Sequence, residues 1–155
     1  MTLTRAQLAT CWISPNVAET PFEVVEGFNE RWWNRCLKRG ERSEWFSFLD
    51  VDGTEVARAE SIPEAHIGSA YAGVSTPAEG FVEIAFLEVQ EGTRRRGVGR
   101  EAVRLLKEAH PGRQLAAFSE HADEFWGALG WQRHIRLNRN PQLYRPLFVS
   151  PAGVR

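Results

Sequence analysis

A glutamate inside an apolar run, followed closely by four arginines and two glycines, is where residue types and spacing in this chain could do chemistry. The run 81–89 reads Phe-Val-Glu-Ile-Ala-Phe-Leu-Glu-Val, and Arg94, Arg95, Arg96, Gly97, Gly99 and Arg100 follow, with four positive charges in seven residues. Backbone N–H groups at a helix start have no intrahelical partner and sit at the positive end of the macrodipole, so the turn suits a phosphate. Gly97 and Gly99 carry no side chain to keep a ligand away. In a strand, Glu83 shares a side with Phe81, Ala85, Leu87 and Val89. A carboxylate so surrounded is partly desolvated and becomes a stronger proton acceptor near neutral pH, which makes Glu83 the candidate general base. The competing reading is that Glu83 sits near the strand end and reaches water or an arginine.

The turn admits three readings. Gly97 to Ala102 satisfies a dinucleotide fingerprint, G-x-G-x-x-A, with Glu120 downstream for a ribose, but in that fold the first glycine follows directly on its strand. Here seven residues, 90–96, intervene, and a hairpin comes before. A nucleotide P-loop fails because no Gly-Lys-Ser/Thr occurs. A merely solvated arginine run would oppose the helix dipole by about 0.3–1 kcal/mol per charge, so something negative should compensate it.

The elements that must position these groups follow from periodicity and punctuation. Thr20, Pro21 and Glu23 open a helix predicted over 21–39, ending at Arg39-Gly40, with Val25, Phe28, Trp32, Trp33, Cys36 and Leu37 near one face. The alternation in 44–51, the turn Asp52-Gly53 and the segment 54–61 predict a hairpin. After strand 81–89 comes a helix over 98–109 with an apolar stripe of Val98, Ala102, Leu105, Leu106 and Ala109. A strand at 114–118, a helix at 121–129 and a final strand pair, 131–137 with 143–149, complete the order. Loops are expected at 62–80 and 138–142. This order implies one α/β (α+β) domain over 1–155, a mixed sheet covered by helices.

Composition narrows the function classes. The chain has 155 residues, 43% hydrophobic and 25% charged, with 19 basic against 20 acidic residues and a net charge of −1. That balance makes no case for nucleic acid as a partner, and no apolar run approaches the roughly 20 residues of a membrane span. The N-terminal residues lack the pattern of a secretory signal, so a cytoplasmic location is expected. Cys11 and Cys36 suit neither a disulfide scaffold nor a metal site. His110, His121 and His134 show no ligand spacing, and His66 either faces an acceptor or is structural. Six tryptophans are present. Trp32, Trp33 and Trp45 suit core packing or a homodimer contact first, and an aromatic cleft second.

Three motifs in register carry a family resemblance. Arg94-Arg95-Arg96-Gly97-Val98-Gly99 resembles the Q/R-x-x-G-x-G/A pyrophosphate loop of the GNAT superfamily of acyl-CoA-dependent N-acetyltransferases. The strand 81–89 resembles the fourth strand of histone-type members, with Glu83 at the position of their catalytic glutamate and the same spacing to the loop. Residues 122–131, Ala-Asp-Glu-Phe-Trp-Gly-Ala-Leu-Gly-Trp, resemble the family's A-x-x-F-Y-x-x-L-G-F segment beside the pantetheine and thiol end of the cofactor. The match covers about 81–131. It implies a mixed, mostly antiparallel central sheet flanked by helices and splayed next to the fourth strand. It further implies acetyl-CoA as cosubstrate and a small-molecule or peptide amine as acceptor. Leu87, Glu88 and Val89 would pair with the pantetheine arm, and Arg94, Arg95, Arg96, Gly97, Val98, Gly99 and Arg100 would hold the pyrophosphate. Ser119 and Trp126 would border the cofactor.

Two departures from the pattern matter. Ser119 stands where the family commonly has asparagine, and Trp126 where many members have the tyrosine that protonates departing thiolate. Indole cannot act as that acid. Tyr71 and Tyr144, the chain's two tyrosines, are alternatives that match no motif. A non-catalytic acyl-CoA-binding regulatory module is therefore the second reading.

Overall fold

The computed structural model describes residues 2–7, 22–29, 42–67, 70–137 and 144–152. Within them the strands are β1 (Thr4–Gln7), β2 (Glu44–Leu49), β3 (Glu55–Ala65), β4 (Phe81–Val89), β5 (Leu115–Phe118), β6 (Gln132–His134) and β7 (Leu147–Val149). The helices are α1 (Val98–Ala109) and α2 (Asp123–Ala128), with a 3-10 turn at Glu91–Thr93. The strands form a seven-stranded sheet in the order β1-β2-β3-β4-β5-β7-β6. All its pairings are antiparallel except β4 with β5. The mixed, mostly antiparallel sheet implied by the motifs is therefore present.

That parallel pairing shapes the molecule. It covers only Val82 with Leu115 and Glu83 with Ala116. Beyond Glu83 the two strands run on without pairing, β4 to Val89 and β5 to Phe118, so the sheet splays beside its fourth strand.

One face of the sheet packs Phe46, Phe48, Val82, Ile84 and Leu115 against Val98, Ala102, Val103 and Leu106 of α1 and Trp126 of α2. The opposite face gathers Phe81, Ala116, Leu147 and Val149, with Tyr71 and Phe118 packed alongside. The bounds of β4 and α1 coincide with those expected from periodicity. In α1 the core-facing set includes Val103, while Leu105 and Ala109 are only partly buried.

Several expectations change. The strand alternation through β4 is broken by a bulge: Glu60 pairs with Phe86 but Ser61 with Ile84, leaving Ala85 as the extra residue. After it, Leu87 and Val89 pack against the same cluster as Val82 and Ile84, while Phe81 belongs to the opposite face. Glu83 thus shares a face with Phe81 but not with Leu87 and Val89. A one-residue insertion reverses side-chain parity, which the run of residues alone does not reveal.

The helix expected over 21–39 does not begin at its start, because 22–29 is coil with one turn. Residues 30–39, with Trp32, Trp33 and Cys36, lie outside the described residues, as does Cys11. Tertiary contacts outcompete local propensity in this segment. The Arg58 guanidinium donates to Glu23 O at 2.7 Å and stacks over Phe28 at 4.1 Å and Phe22 at 4.9 Å. Asn29 N–H donates to Glu88 Oε2 at 2.8 Å, and Glu91 N–H to Gly27 O at 3.1 Å.

The hairpin between β2 and β3 closes differently from the two-residue turn expected. Asp50 N–H donates to Thr54 O at 2.9 Å around a loop of 51–53, and Asp50 Oδ1 accepts from Asp52 and Thr54 N–H. β3 also runs to Ala65, through residues expected to be loop. The expected loop at 138–142 lies outside the described residues. Among the described residues, no helix is long and apolar enough to cross a membrane and no acidic, histidine and cysteine group could hold a metal.

Candidate active site

The splay has two openings, one at each end of the separation between β4 and β5. The first is a cleft of about 300 Å³ lined by Val89, Arg94, Arg95, Gly97, Val98, Gly99, Arg100, Phe125, Ala128 and Leu129. The chain leaves β4, makes the 3-10 turn, and enters α1 through Gly97 at φ 76, a left-handed conformation that L side chains resist by about 1–2 kcal/mol. Gly97 brings no capping side chain, and the first helical bond across the turn runs from Glu101 N–H to Gly97 O. The amides before Glu101 therefore remain for an external acceptor. Arg95 is also left-handed, at φ 67. Left-handed residues alternating in such a turn bring successive amides to one side, as in anion-binding nests.

The groove beside this turn is kept open by Gly99. A Cβ there would stand 3.1 Å from the Phe125 ring and 3.6 Å from Val89 Cγ2. The arginines divide their tasks. Arg94 Nε donates to Val89 O at 3.2 Å, and Arg100 Nη2 to Ala128 O at 3.1 Å, which ties the turn to β4 and to the end of α2. Arg96 is exposed and does not line the cleft. Glu101, in the first turn of α1, is held below the usual carboxylate range chiefly by its hydrogen bond with Arg104.

The second opening is a cavity of about 520 Å³ lined by Ala65, His66, Ile67, Ala70, Tyr71, Glu83, Phe118, Arg136, Tyr144 and Arg145. Glu83 is half-buried, opposite Ile62 of β3 and Ala116 of β5 at the last paired position before the splay. Tyr71 O–H donates to Arg145 O at 3.1 Å, and its ring meets Phe118 at 5.7 Å. Burial pushes the Tyr71 phenol up, against the opposing pull of Arg136 and Arg145. A wide groove of about 1310 Å³ holds Arg94 and Arg95 at one part of its wall and Tyr144 and Arg145 at another. It includes Ser119 and Phe125, so the arginine turn and Tyr144 border one continuous depression.

The remaining candidates are placed as follows. Leu87 packs on the core and Glu88 is buried, its carboxylate engaged by Asn29. Ser119 is buried; its Oγ accepts from Ala122 N–H at 3.2 Å and donates to Asp123 Oδ1 at 2.5 Å, fixing the entry to α2. Trp126 stacks on Trp131 at 4.8 Å in the core, and its neighbour Phe125 forms the cleft wall instead. Trp45 is buried against Phe22 and lines neither opening. His66 lies on the Glu83 cavity, whereas His110 is buried beside Glu44 and His134 Nδ1 meets Ala72 O at 2.7 Å.

Arg136 and Arg145 carry no signal in the sequence, and Tyr144 stands out there only as one of two tyrosines. They follow β6 and precede β7, and only the β5–β7–β6 pairing brings them to the Glu83 face.

Comparison with known proteins agrees with this architecture. No protein-family model and no curated protein matches the chain. Among solved structures, it is similar to a histone acetyltransferase HPA2 and related acetyltransferase from Corynebacterium glutamicum. That match has 13% identity and a TM-score of 0.50, and covers 73% of this chain and 66% of that one. It is also similar to the Bacillus subtilis N-acetyltransferase YlbP, solved in complex with coenzyme A, at 17% identity and a TM-score of 0.51. There it covers 70% of this chain and 68% of that one. The chain therefore spans about two thirds of the length of each structure, and what it shares with them is the fold.

Proposed function

We propose that this chain, which has the fold of those acetyltransferases, transfers an acetyl group from acetyl-CoA to a primary amine, with Glu83 as general base. The main support is the continuity of the splay: an uncapped, arginine-ringed helix start at one end and a half-buried carboxylate in a cavity at the other, joined by β4. The turn fits a pyrophosphate because its amides precede the helical hydrogen bonds and Gly99 leaves the groove open. Arg94, Arg95, Gly97, Val98, Gly99 and Arg100 would contact that group, with Arg96 adding to the local field. The β4 edge at Leu87, Glu88 and Val89 would receive the pantetheine arm, and Ser119 holds α2 beside it.

Glu83, directly or through water, takes a proton from the acceptor ammonium. The amine nitrogen then bonds to the thioester carbonyl carbon, and its second proton passes to solvent. The tetrahedral intermediate expels the thiolate as the C–S bond breaks, leaving the neutral amide. A thiol's pKa near 8.5 makes thiolate a tolerable leaving group, so the buried Trp126 need supply no proton. The test uses the whole chain. Acetyl-CoA should raise its melting temperature, and an amine panel should release CoA thiol. Thermal protection without thiol release from any amine would favour the regulatory module instead, a reading that the core position of Trp126 supports.

A further inference from the structure

We propose that the Glu83 cavity takes an acceptor amine that also bears a carboxylate, with the Arg136 guanidinium as the partner of that carboxylate. The inference rests on the transferase reading and names its substrate class.

Arg136 is held by backbone pairing. It bridges Tyr71, while Ala72 N–H donates to Ile135 O at 2.9 Å and Leu137 N–H to Ala70 O at 2.6 Å. Its guanidinium lies over the Tyr144 ring at 4.2 Å, and the residue is half-buried in the cavity wall. A guanidinium stacked on an aromatic face is preorganised for planar recognition of a carboxylate.

Among the described residues, no carboxylate forms an ion pair with Arg136. Other arginines in the chain show what a resident pairing looks like. Arg58, stacked on the rings of Phe22 and Phe28, meets Glu55 at 2.8 Å, and Arg104 is flanked by both Glu101 and Glu108. Arg145, also in the cavity wall, meets among the described carboxylates the exposed Glu120, at the long distance of 4.0 Å.

The charge pattern of the wall completes the argument. Among the described lining residues Glu83 is the one carboxylate, alongside Arg136, Arg145 and the ring of His66. An acceptor carrying only an amine would present nothing to the arginines. An amino carboxylate offers an ammonium to Glu83 and a bidentate acceptor to Arg136, and paired charges in a partly enclosed site bind more strongly than neutral hydrogen bonds.

The experiment measures binding by calorimetry to protein saturated with CoA. Its probes are the proteinogenic amino acids, β-alanine and 4-aminobutyrate, each against its carboxamide. At least one acid should bind about tenfold or more tightly than its carboxamide, the size expected of a charge-assisted hydrogen bond. R136Q should collapse that preference to near parity, and R136K should retain part of it, having charge without the fork. Equal binding of acids and carboxamides throughout, or a preference that survives R136Q, overturns the inference.

Because binding needs no turnover, the two readings fail separately. Selective, Arg136-dependent binding without CoA thiol release sinks the transferase reading and keeps the carboxylate subsite. Thiol release by amines with no carboxylate preference does the reverse.

Discussion

The two ends of the splay are built in different ways. The anion cleft comes largely from one stretch of chain, 89–100, supplemented by α2, and its chemistry resides in backbone amides and in the absence of side chains at Gly97 and Gly99. Among the described residues, the Glu83 cavity draws on side chains from five separate places: His66 and Ile67 with Ala70 and Tyr71, Glu83, Phe118, Arg136, and Tyr144 with Arg145. A phosphate can be recognised by a short local conformation, because every residue supplies an N–H. An acceptor must be recognised by particular side chains meeting across the sheet. The first kind of site tolerates drift around it; the second can be retuned one residue at a time.

If the ends divide labour in this way, substitutions should separate chemistry from cofactor binding. The largest effect is expected from Glu83→Gln. Loss of a positioned base should lower kcat by about 10²–10⁴-fold, with the KM for acetyl-CoA little changed. A Glu83→Gln protein that turns over like the parent across a pH series would remove Glu83 from the mechanism and erase the contrast.

Gly99→Leu attacks the other end and should have the next largest effect. Its Cβ would meet the Phe125 ring at 3.1 Å and the rest of the side chain would fill the cleft. Overpacking of this kind costs about 1–3 kcal/mol, so the KM for acetyl-CoA should rise about tenfold or more, while kcat at saturation falls far less than in Glu83→Gln. A kcat loss without a KM change would place the cosubstrate elsewhere.

The same contrast explains what could be read from the residues alone. β4 and α1 fell at their expected bounds because a doubly covered strand and an amphipathic helix write their burial into contiguous residues. The anion turn was legible for the same reason. Parity beyond Glu83 was not, because the bulge at Ala85 arises from how β3 pairs with β4, not from the run itself. The start of the expected helix at 21 gave way to coil at 22–29, where Arg58, Glu88 and Glu91 engage that segment from positions distant in sequence. Arg136 and Tyr144 carried no motif; pairing of β6 and β7 beside β5 makes them neighbours of Glu83.

The smallest effect belongs to a titration that reads the acceptor end alone. The chain has two tyrosines, and both line the Glu83 cavity, so phenolate absorbance reports on no other region. Tyr71 should titrate above the ordinary value of 10, because burial outweighs the pull of Arg136 and Arg145. Tyr71→Phe should delete that late transition, and Tyr144→Phe should leave it in place. R136Q should move it later still, since one of the two charges favouring the phenolate is gone. The stability consequence follows from the sign of the shift. A phenol whose folded-state pKa lies above its unfolded value leaves stability intact below about 10 and removes it as the pH rises through the folded value. The parent should therefore lose more stability than Tyr71→Phe between pH 10 and the end of the titration, and the two should differ by a pH-independent amount below it. A Tyr71 transition at or below 10 would mean that the arginines dominate the cavity. In that case the acceptor end would hold a stronger positive field than its burial implies, and the carboxylate preference of R136Q and its parent should differ by even more.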